Sequence, residues 1–195
     1  KVAGYRGYYL KNEGALLAMA LMNYAFQKMV SKGYSPMITP TLIKGFALFG
    51  SGYFQGAEYN SDADNIYQIA TSDQEADGQE SKEKKFLSGT SEPALLAYYS
   101  DQVLEEKDLP IRVCGFSQCY RSEIGSYGKD VRGLYRVHEF MKIEQVVVAK
   151  ADYEESNKLQ DEMLGISQEL SHAAPSKRMN GSWVERLIVT PSANL

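Results

Sequence analysis

Between Arg136 and Glu144 the chain alternates. Arg136, His138, Phe140, Lys142 and Glu144 fall on one side of an extended strand, and Val137, Met141 and Ile143 fall on the other. A strand before it places Arg121 and Glu123 on a common side. The pair predicts a hairpin with an apolar back against a helix and a polar front, a costly arrangement unless the front meets a ligand or solvent. From Gly14 to Lys32 the polar positions Asn23, Gln27, Lys28, Ser31 and Lys32 form a narrow stripe on an otherwise apolar cylinder. This predicts a helix buried over most of its surface, either in the core of a monomer or against a second copy. Asn12 suits its N-cap, Glu13 its first turn and Gly33 the C′ position that ends it.

The remaining pattern is shorter in range. Gly4 to Leu10 reads as a short strand or turn, Tyr34 to Pro40 as extended chain with Pro40 at a strand end, and Gly45 to Gly52 as a helix end followed by a turn. Glu58 to Lys85 is polar and acidic apart from the strand-like Ile66 to Ile69, and reads as a solvated insertion without a functional role. Phe86 to Ser88 is extended. Pro93 opens a helix expected to run to about Glu106, with Thr90 and Ser91 before it as capping residues. Ile111 to Phe116 is a strand feeding the hairpin, and an acidic helix follows from Asp152 to Leu170.

Composition narrows the class without identifying it. The 195 residues, 44% hydrophobic and 24% charged, are those of a soluble globular chain with one sizeable core. A net charge of −4 argues against broad binding to nucleic acid, so any such contact is local. Residues 111–150 hold seven Lys/Arg against four Asp/Glu, whereas residues 151–170 hold one against six; the basic excess sits on the hairpin. Its loop, Gly125 to Gly133, has three glycines with Lys129 and Arg132, a composition that brings backbone N–H groups and positive charge to phosphates. Cys114 and Cys119 are too few for a disulfide framework and lack the second pair of a zinc site, so they are expected as reduced thiols, with no metal site. No apolar run has transmembrane length and no signal pattern is found, so the expected location is cytoplasmic. The start at Lys1 leads us to expect upstream sequence.

The order Arg121-Ser122-Glu123, a Gly-rich basic loop, then Arg136-Val137-His138-Glu139-Phe140-Met141-Lys142-Ile143-Glu144 closely resembles the second signature motif of class II aminoacyl-tRNA synthetases, in the form found in seryl-tRNA synthetases. It fixes two arginines, an aromatic and two carboxylates over 24 consecutive residues, and the likeness extends upstream through Gly89-Thr90-Ser91-Glu92 to Lys1. The helix, glycine, strand and proline of residues 14–40 are similar to the first motif, which forms the dimer interface in that family.

The resemblance implies an α+β fold of the class II catalytic-core type, an antiparallel sheet flanked by helices, here incomplete. It divides the chain into a core, residues 1–171, and an atypical tail, residues 172–195. It implies ATP-dependent activation of L-serine, with Mg²⁺ on the phosphates, and transfer to tRNA-Ser by a homodimer with no membrane association. Arg121 would be the catalytic arginine at the α-phosphate. Arg121, Ser122, Glu123, Arg136, Val137 and Phe140 would bind ATP, with Glu123 at the adenine amino group, Phe140 stacked on the ring and Arg136 at the distal phosphates. Thr90, Ser91, Glu92 and Glu144 would bind serine, and Lys129 and Arg132 would meet the tRNA acceptor end. His138 has no assigned role. The family's long helical arm before the core and its third motif after it have no counterpart in this sequence; Asn180-Gly181-Ser182 with Arg186 has the wrong spacing for the latter. Two other readings stay open: a ligase charging a carrier other than tRNA, and a noncatalytic nucleotide-binding or dimerising fragment.

Overall fold

The computed structural model describes residues 2–54, 56, 58–61, 63–70, 74, 77–81, 83–124 and 133–173, the side chains of 172 and 173 excepted. Lys129, Arg132 and the residues after 173 therefore lie outside the described residues.

Two strands carry the molecule. Alternating apolar and small residues in β5 (Ile111–Tyr120) and β6 (Glu139–Val148) pair antiparallel in one register from Ile111↔Val148 to Tyr120↔Glu139. β1 (Ser35–Ile38) adds to β5 in parallel, so the main sheet is mixed rather than wholly antiparallel. A smaller antiparallel sheet joins β2 (Leu42–Lys44), β4 (Lys85–Leu87) and β3 (Tyr67–Gln68), with β4 central. The helices are α1 (Glu13–Ser31), α2 (Gly45–Gly50), α3 (Glu92–Tyr98) and α4 (Tyr153–Ala173).

The back of the hairpin is closed by α1 and α4. Met29, Tyr34, Cys114 and Ile166 form a buried cluster against which Phe26, Ile143, Val147 and Leu170 pack. Polar groups lock α4 in place around it. Arg112 grips Glu162 through Nε at 3.1 Å and Nη2 at 3.0 Å, Gln145 Nε2 donates to Ser167 Oγ at 2.9 Å, and Lys28 and Lys32 both reach Glu169 at 2.8 Å. Cys114 and Cys119 are free and buried, and burial pushes the Cys114 thiol up to about 11.

Helix α1 ends as its sequence indicates. Gly33 takes φ 86°, its N–H donates to Val30 O at 3.0 Å and Tyr34 N–H donates to Met29 O at 3.1 Å, a Schellman closure. Asn12 begins the helix through its carbonyl, which accepts from Ala15 and Leu16, while its side chain makes no capping bond. The expected burial of α1 is not found within one chain. Only Met29 is fully buried, and Leu16 (72% exposed), Leu17 (56%) and Met19 (60%) face outward, because Phe26 and Met29 make the contact with the hairpin. Helix α3 is also shorter than its sequence predicts. It stops at Tyr98, a turn follows with Asp101 at φ 59°, and a single 3₁₀ turn covers Glu106–Asp108.

The front of the hairpin receives α3. Leu95 packs on Val113 and Val146, and Gly115 makes the approach possible: a Cβ there would lie 2.8 Å from Ser91 Oγ and 3.0 Å from Leu95 Cδ1. The small sheet and α2 form their own cluster of Ile43, Leu48, Ile66 and Phe86, with Phe54 and Tyr59 edge-on to the Phe86 ring. Tyr120 N–H donates to Ser88 O at 2.9 Å, which brings the exit of β4 to the end of β5.

Candidate active site

On the front face, strand pairing sets Cys119 opposite Phe140, Ser117 opposite Lys142 and Gly115 opposite Glu144. Phe140, Lys142 and Glu144 share this face, as alternation predicts. Arg121, Glu123, Arg136 and His138 reach it differently. The strands end at Tyr120 and begin again at Glu139, so these four residues stand beyond the ladder. One further bond, Arg121 N–H to His138 O at 2.9 Å, continues the pairing, after which Glu123 turns at φ 55°. The common side of Arg121 and Glu123 is thus made by a corner and not by a strand. His138 gains a structural role: its Nδ1 lies 2.9 Å from Arg121 O, and since a carbonyl only accepts, Nδ1 carries the proton.

Arg121 is held on several sides. Its Nε donates to Gly89 O at 3.1 Å, its guanidinium carbon stands 5.3 Å from the Phe140 ring centroid, and Tyr53 lies near it on the small-sheet side. Burial pushes the Tyr53 phenol up, opposed by Arg121. Gly89 is required here, because a Cβ would come within 2.1 Å of the Tyr53 hydroxyl and 3.3 Å of Tyr120 O. The Glu123 side chain is 7% exposed and ion-paired with Arg136 Nη1. Ser122 Oγ donates to Asn65 Oδ1 at 3.1 Å, and Val137 is half-buried.

A second cluster forms where the loop before α3 meets β6. Thr90 Oγ1 donates to Glu144 Oε2 at 2.5 Å and accepts from Lys142 Nζ at 2.8 Å, while Lys142 and Glu144 are ion-paired. Glu92 stands beside them, and its carboxyl is raised above its ordinary value by burial and then by Glu144, with Lys142 opposing. Lys142 is thus ion-paired with one of the two carboxylates and lies near the other. Ser91 does not join it. Its hydroxyl, fully buried, donates to Gly115 O at 3.3 Å and fixes the loop to β5. Neither Thr90 nor Ser91 makes a strong side-chain cap; Glu92 N–H reaches Thr90 Oγ1 only at 3.5 Å.

Sequence reasoning gave no role to Lys142, Tyr53 or Asn65. Lys142 shares a strand face with Glu144 and was visible by alternation, but Tyr53 and Asn65 come from irregular chain far upstream, where no spacing marks them. Lys129 and Arg132 lie outside the described residues.

Residues 67–178, more than half of the chain, match the family described as tRNA synthetase class II core domain (G, H, P, S and T). The chain belongs to this class II synthetase core family. The serine–tRNA ligase 1 of Streptomyces avermitilis is 41% identical over 159 residues, which are 81% of this chain and 34% of that protein. The serine–tRNA ligase of Cutibacterium acnes is 44% identical over 147 residues, 75% of this chain and 31% of that protein. Among solved structures, the cytoplasmic serine-tRNA ligase from Naegleria fowleri in complex with AMP superposes with a TM-score of 0.74 at 34% identity, covering 88% of this chain and 36% of that one. The seryl-tRNA synthetase from Pyrococcus horikoshii complexed with ATP gives 0.74 at 33%, covering 88% and 34%. This class II synthetase core spans about a third of the length of the curated relatives it matches.

The candidate residues from Thr90 to Glu144 lie within the matched segment, whereas Tyr53 and Asn65 precede it. Among the described residues no group of three His, Cys, Asp or Glu side chains is placed to hold a metal, and the Glu92–Glu144 pair is already faced by Lys142. No helix among them is long and apolar enough to cross a membrane.

Proposed function

We propose that this chain is the catalytic core of a serine–tRNA ligase, residues 1–171, followed by a distinct tail, residues 172–195. It binds ATP and L-serine on the hairpin front, joins them as seryl-adenylate, and passes serine to tRNA-Ser. The observation that carries this reading is the Thr90–Lys142–Glu144 cluster set on the same strand face as Phe140 and the Arg121 corner.

The chemistry follows from the side chains. The serine carboxylate attacks the α-phosphate, a P–O bond forms, and the bond to pyrophosphate breaks. Negative charge grows on the phosphoryl oxygens, and the Arg121 guanidinium, held by Gly89 O and set against the Phe140 ring, stabilises it without rearrangement. Phe140 offers its ring to adenine, and Glu123 accepts from the adenine amino group. Arg136, paired with Glu123 here, swings to the distal phosphates when ATP arrives. Mg²⁺ enters with ATP as part of the substrate and neutralises the phosphates.

In the serine subsite Glu92, which makes no ion pair with Lys142, receives the substrate ammonium, and that cation favours its ionised form. Thr90 and Glu144 exchange their mutual bond for bonds to the serine hydroxyl. Alanine, which lacks that group, leaves both unpaired and is rejected. Lys129 and Arg132 meet the acceptor end of tRNA as local phosphate contacts. The outward residues Leu16, Leu17 and Met19 of α1 support a homodimer, with a second copy covering them. We place the reaction in the cytoplasm, in keeping with the free, buried thiols.

Exchange of labelled pyrophosphate into ATP, run with serine, alanine and threonine, tests the proposal. Exchange with serine alone is the expected result. A folded chain that neither exchanges nor binds ATP would overturn it, and labelled serine reaching a carrier other than tRNA-Ser would overturn the acceptor assignment.

A further inference from the structure

The sequence reads Glu58 to Lys85 as a solvated insertion apart from a strand-like Ile66 to Ile69, yet this segment reaches the corner after Arg121, first through Asn65. Asn65 Oδ1 accepts from the Ser122 hydroxyl at 3.1 Å and from the backbone N–H of Glu123. Two donors converge on a single atom, so that atom must be the amide oxygen; the amide nitrogen could accept neither. The N–H that it receives belongs to the residue at φ 55°, in a left-handed conformation that side chains other than Gly, Asn and Asp rarely adopt.

The frame behind Asn65 is rigid. Its neighbours Asp64 and Ile66 are each 1% exposed. Ile66 sits in the small-sheet core beside Leu48 and Phe86, and its carbonyl accepts from Tyr59 Oη at 3.2 Å. Asp64 accepts from Asn60 N–H at 2.7 Å and donates its own N–H to Asn60 O at 2.8 Å, which closes the loop just before Asn65. Two residues on, Tyr67 in β3 stands edge-on to His138 at 6.2 Å between ring centroids, and His138 in turn donates to Arg121 O. β3 and the chain leading into it therefore touch both sides of the corner at once: Asn65 on the outgoing side, Tyr67 on the returning side.

We propose that Asn65 is a positioning residue for ATP, fixing the turn after Arg121 so that the Arg121 guanidinium and the Glu123 carboxylate face the same nucleotide. This rests on the assignment of ATP to the hairpin front made above. Without the amide oxygen, Glu123 N–H and Ser122 Oγ lose their acceptor and the left-handed turn loses what holds it, while the serine cluster, built on Thr90, Lys142 and Glu144, is untouched. The deficit should fall on one substrate only.

The test is pyrophosphate exchange by Asn65→Ala and Asn65→Asp alongside the parent chain, with ATP and serine varied in turn. For Asn65→Ala we expect kcat/KM for ATP to fall roughly ten- to a hundredfold, as a displacement of about an ångström does, with KM for serine unchanged. Asn65→Asp keeps an acceptor oxygen at the same place and should recover most of the loss. Equal deficits for both substrates, or no recovery with Asp, would overturn the proposal, because a merely structural asparagine behaves that way. Amide hydrogen exchange gives a second readout that does not depend on activity. Glu123 N–H should lose protection in Asn65→Ala while Phe86 N–H in β4 keeps its own. Retained protection at Glu123 would refute the positioning role; inactivity of the parent chain would instead count against the proposed reaction.

Discussion

The two faces of the β5–β6 hairpin are made from the same twenty strand positions and solve opposite problems. On the back, Cys114, Ile143 and Val147 meet α1 and α4, and the polar groups present, Arg112 and Gln145, are hydrogen-bonded to α4. On the front, the polar groups are charged and satisfy one another: Arg136 with Glu123, and Lys142 with Glu144 and Thr90. The back packs against two helices, whereas under the proposed function the front's internal pairs are ones that substrate groups would replace. The lesson is that alternation alone separates a binding face from a packing face, and that the binding face is recognised by partners it could exchange.

If that distinction is right, changes on the two faces should register in different measurements. The largest effect is expected from Arg121→Ala, which should lower kcat for pyrophosphate exchange about 10²- to 10³-fold, the loss typical of one preorganised donor to a developing oxyanion. An unchanged rate would remove Arg121 from the chemistry. Gly115→Ala comes next and lies on the front, where α3 packs beside the polar cluster. Its new methyl would press on Ser91 and Leu95, so we expect a destabilisation of about 1–3 kcal/mol by chemical denaturation together with a raised KM for serine, since Thr90 moves with that loop. Ile166→Val should cost about 0.5–1.5 kcal/mol of stability and leave both KM values where they were. A shift in KM from this back-face change would break the separation.

The smallest effect concerns pH. Burial, and then Glu144, raise the Glu92 carboxyl, so the folded chain holds that proton more tightly than the unfolded chain does. Stability is then fully present below the ordinary carboxyl value of 4.5 and falls as pH rises through the elevated one. Glu92→Gln removes the dependence. Its melting temperature relative to the parent should climb on going from acid to neutral pH, and a flat difference would contradict the raised carboxyl.

Much of this was legible in the chain itself. The hairpin, its polar front, the helix with its glycine stop, and the residues Thr90, Arg121, Phe140 and Glu144 follow from alternation, local stop signals and the motif resemblance. What was not legible has physical causes. The corner at Glu123 is bonded by an asparagine from the irregular chain before β3, and contacts at that sequence distance leave no periodic trace. Helix α3 was overestimated because the residues after Tyr98 have no local stop as strong as Gly33, and the chain ends the helix by a left-handed turn at Asp101. Ser91 sits between two pocket residues in sequence but points into the β5 backbone, which only the approach of α3 to Gly115 explains. The apolar pattern of α1 does not distinguish cover by its own chain from cover by a second copy, because both bury the same residues.

The most direct measurement is the ratio of kcat/KM for serine to that for alanine in pyrophosphate exchange, compared between the parent chain and Glu144→Ala. A strong preference for serine is expected in the parent, collapsing toward equality in the variant, because the carboxylate proposed to accept the substrate hydroxyl is gone. A preference that survives intact in a folded, active Glu144→Ala would mean that the Thr90–Lys142–Glu144 cluster is not where serine is read.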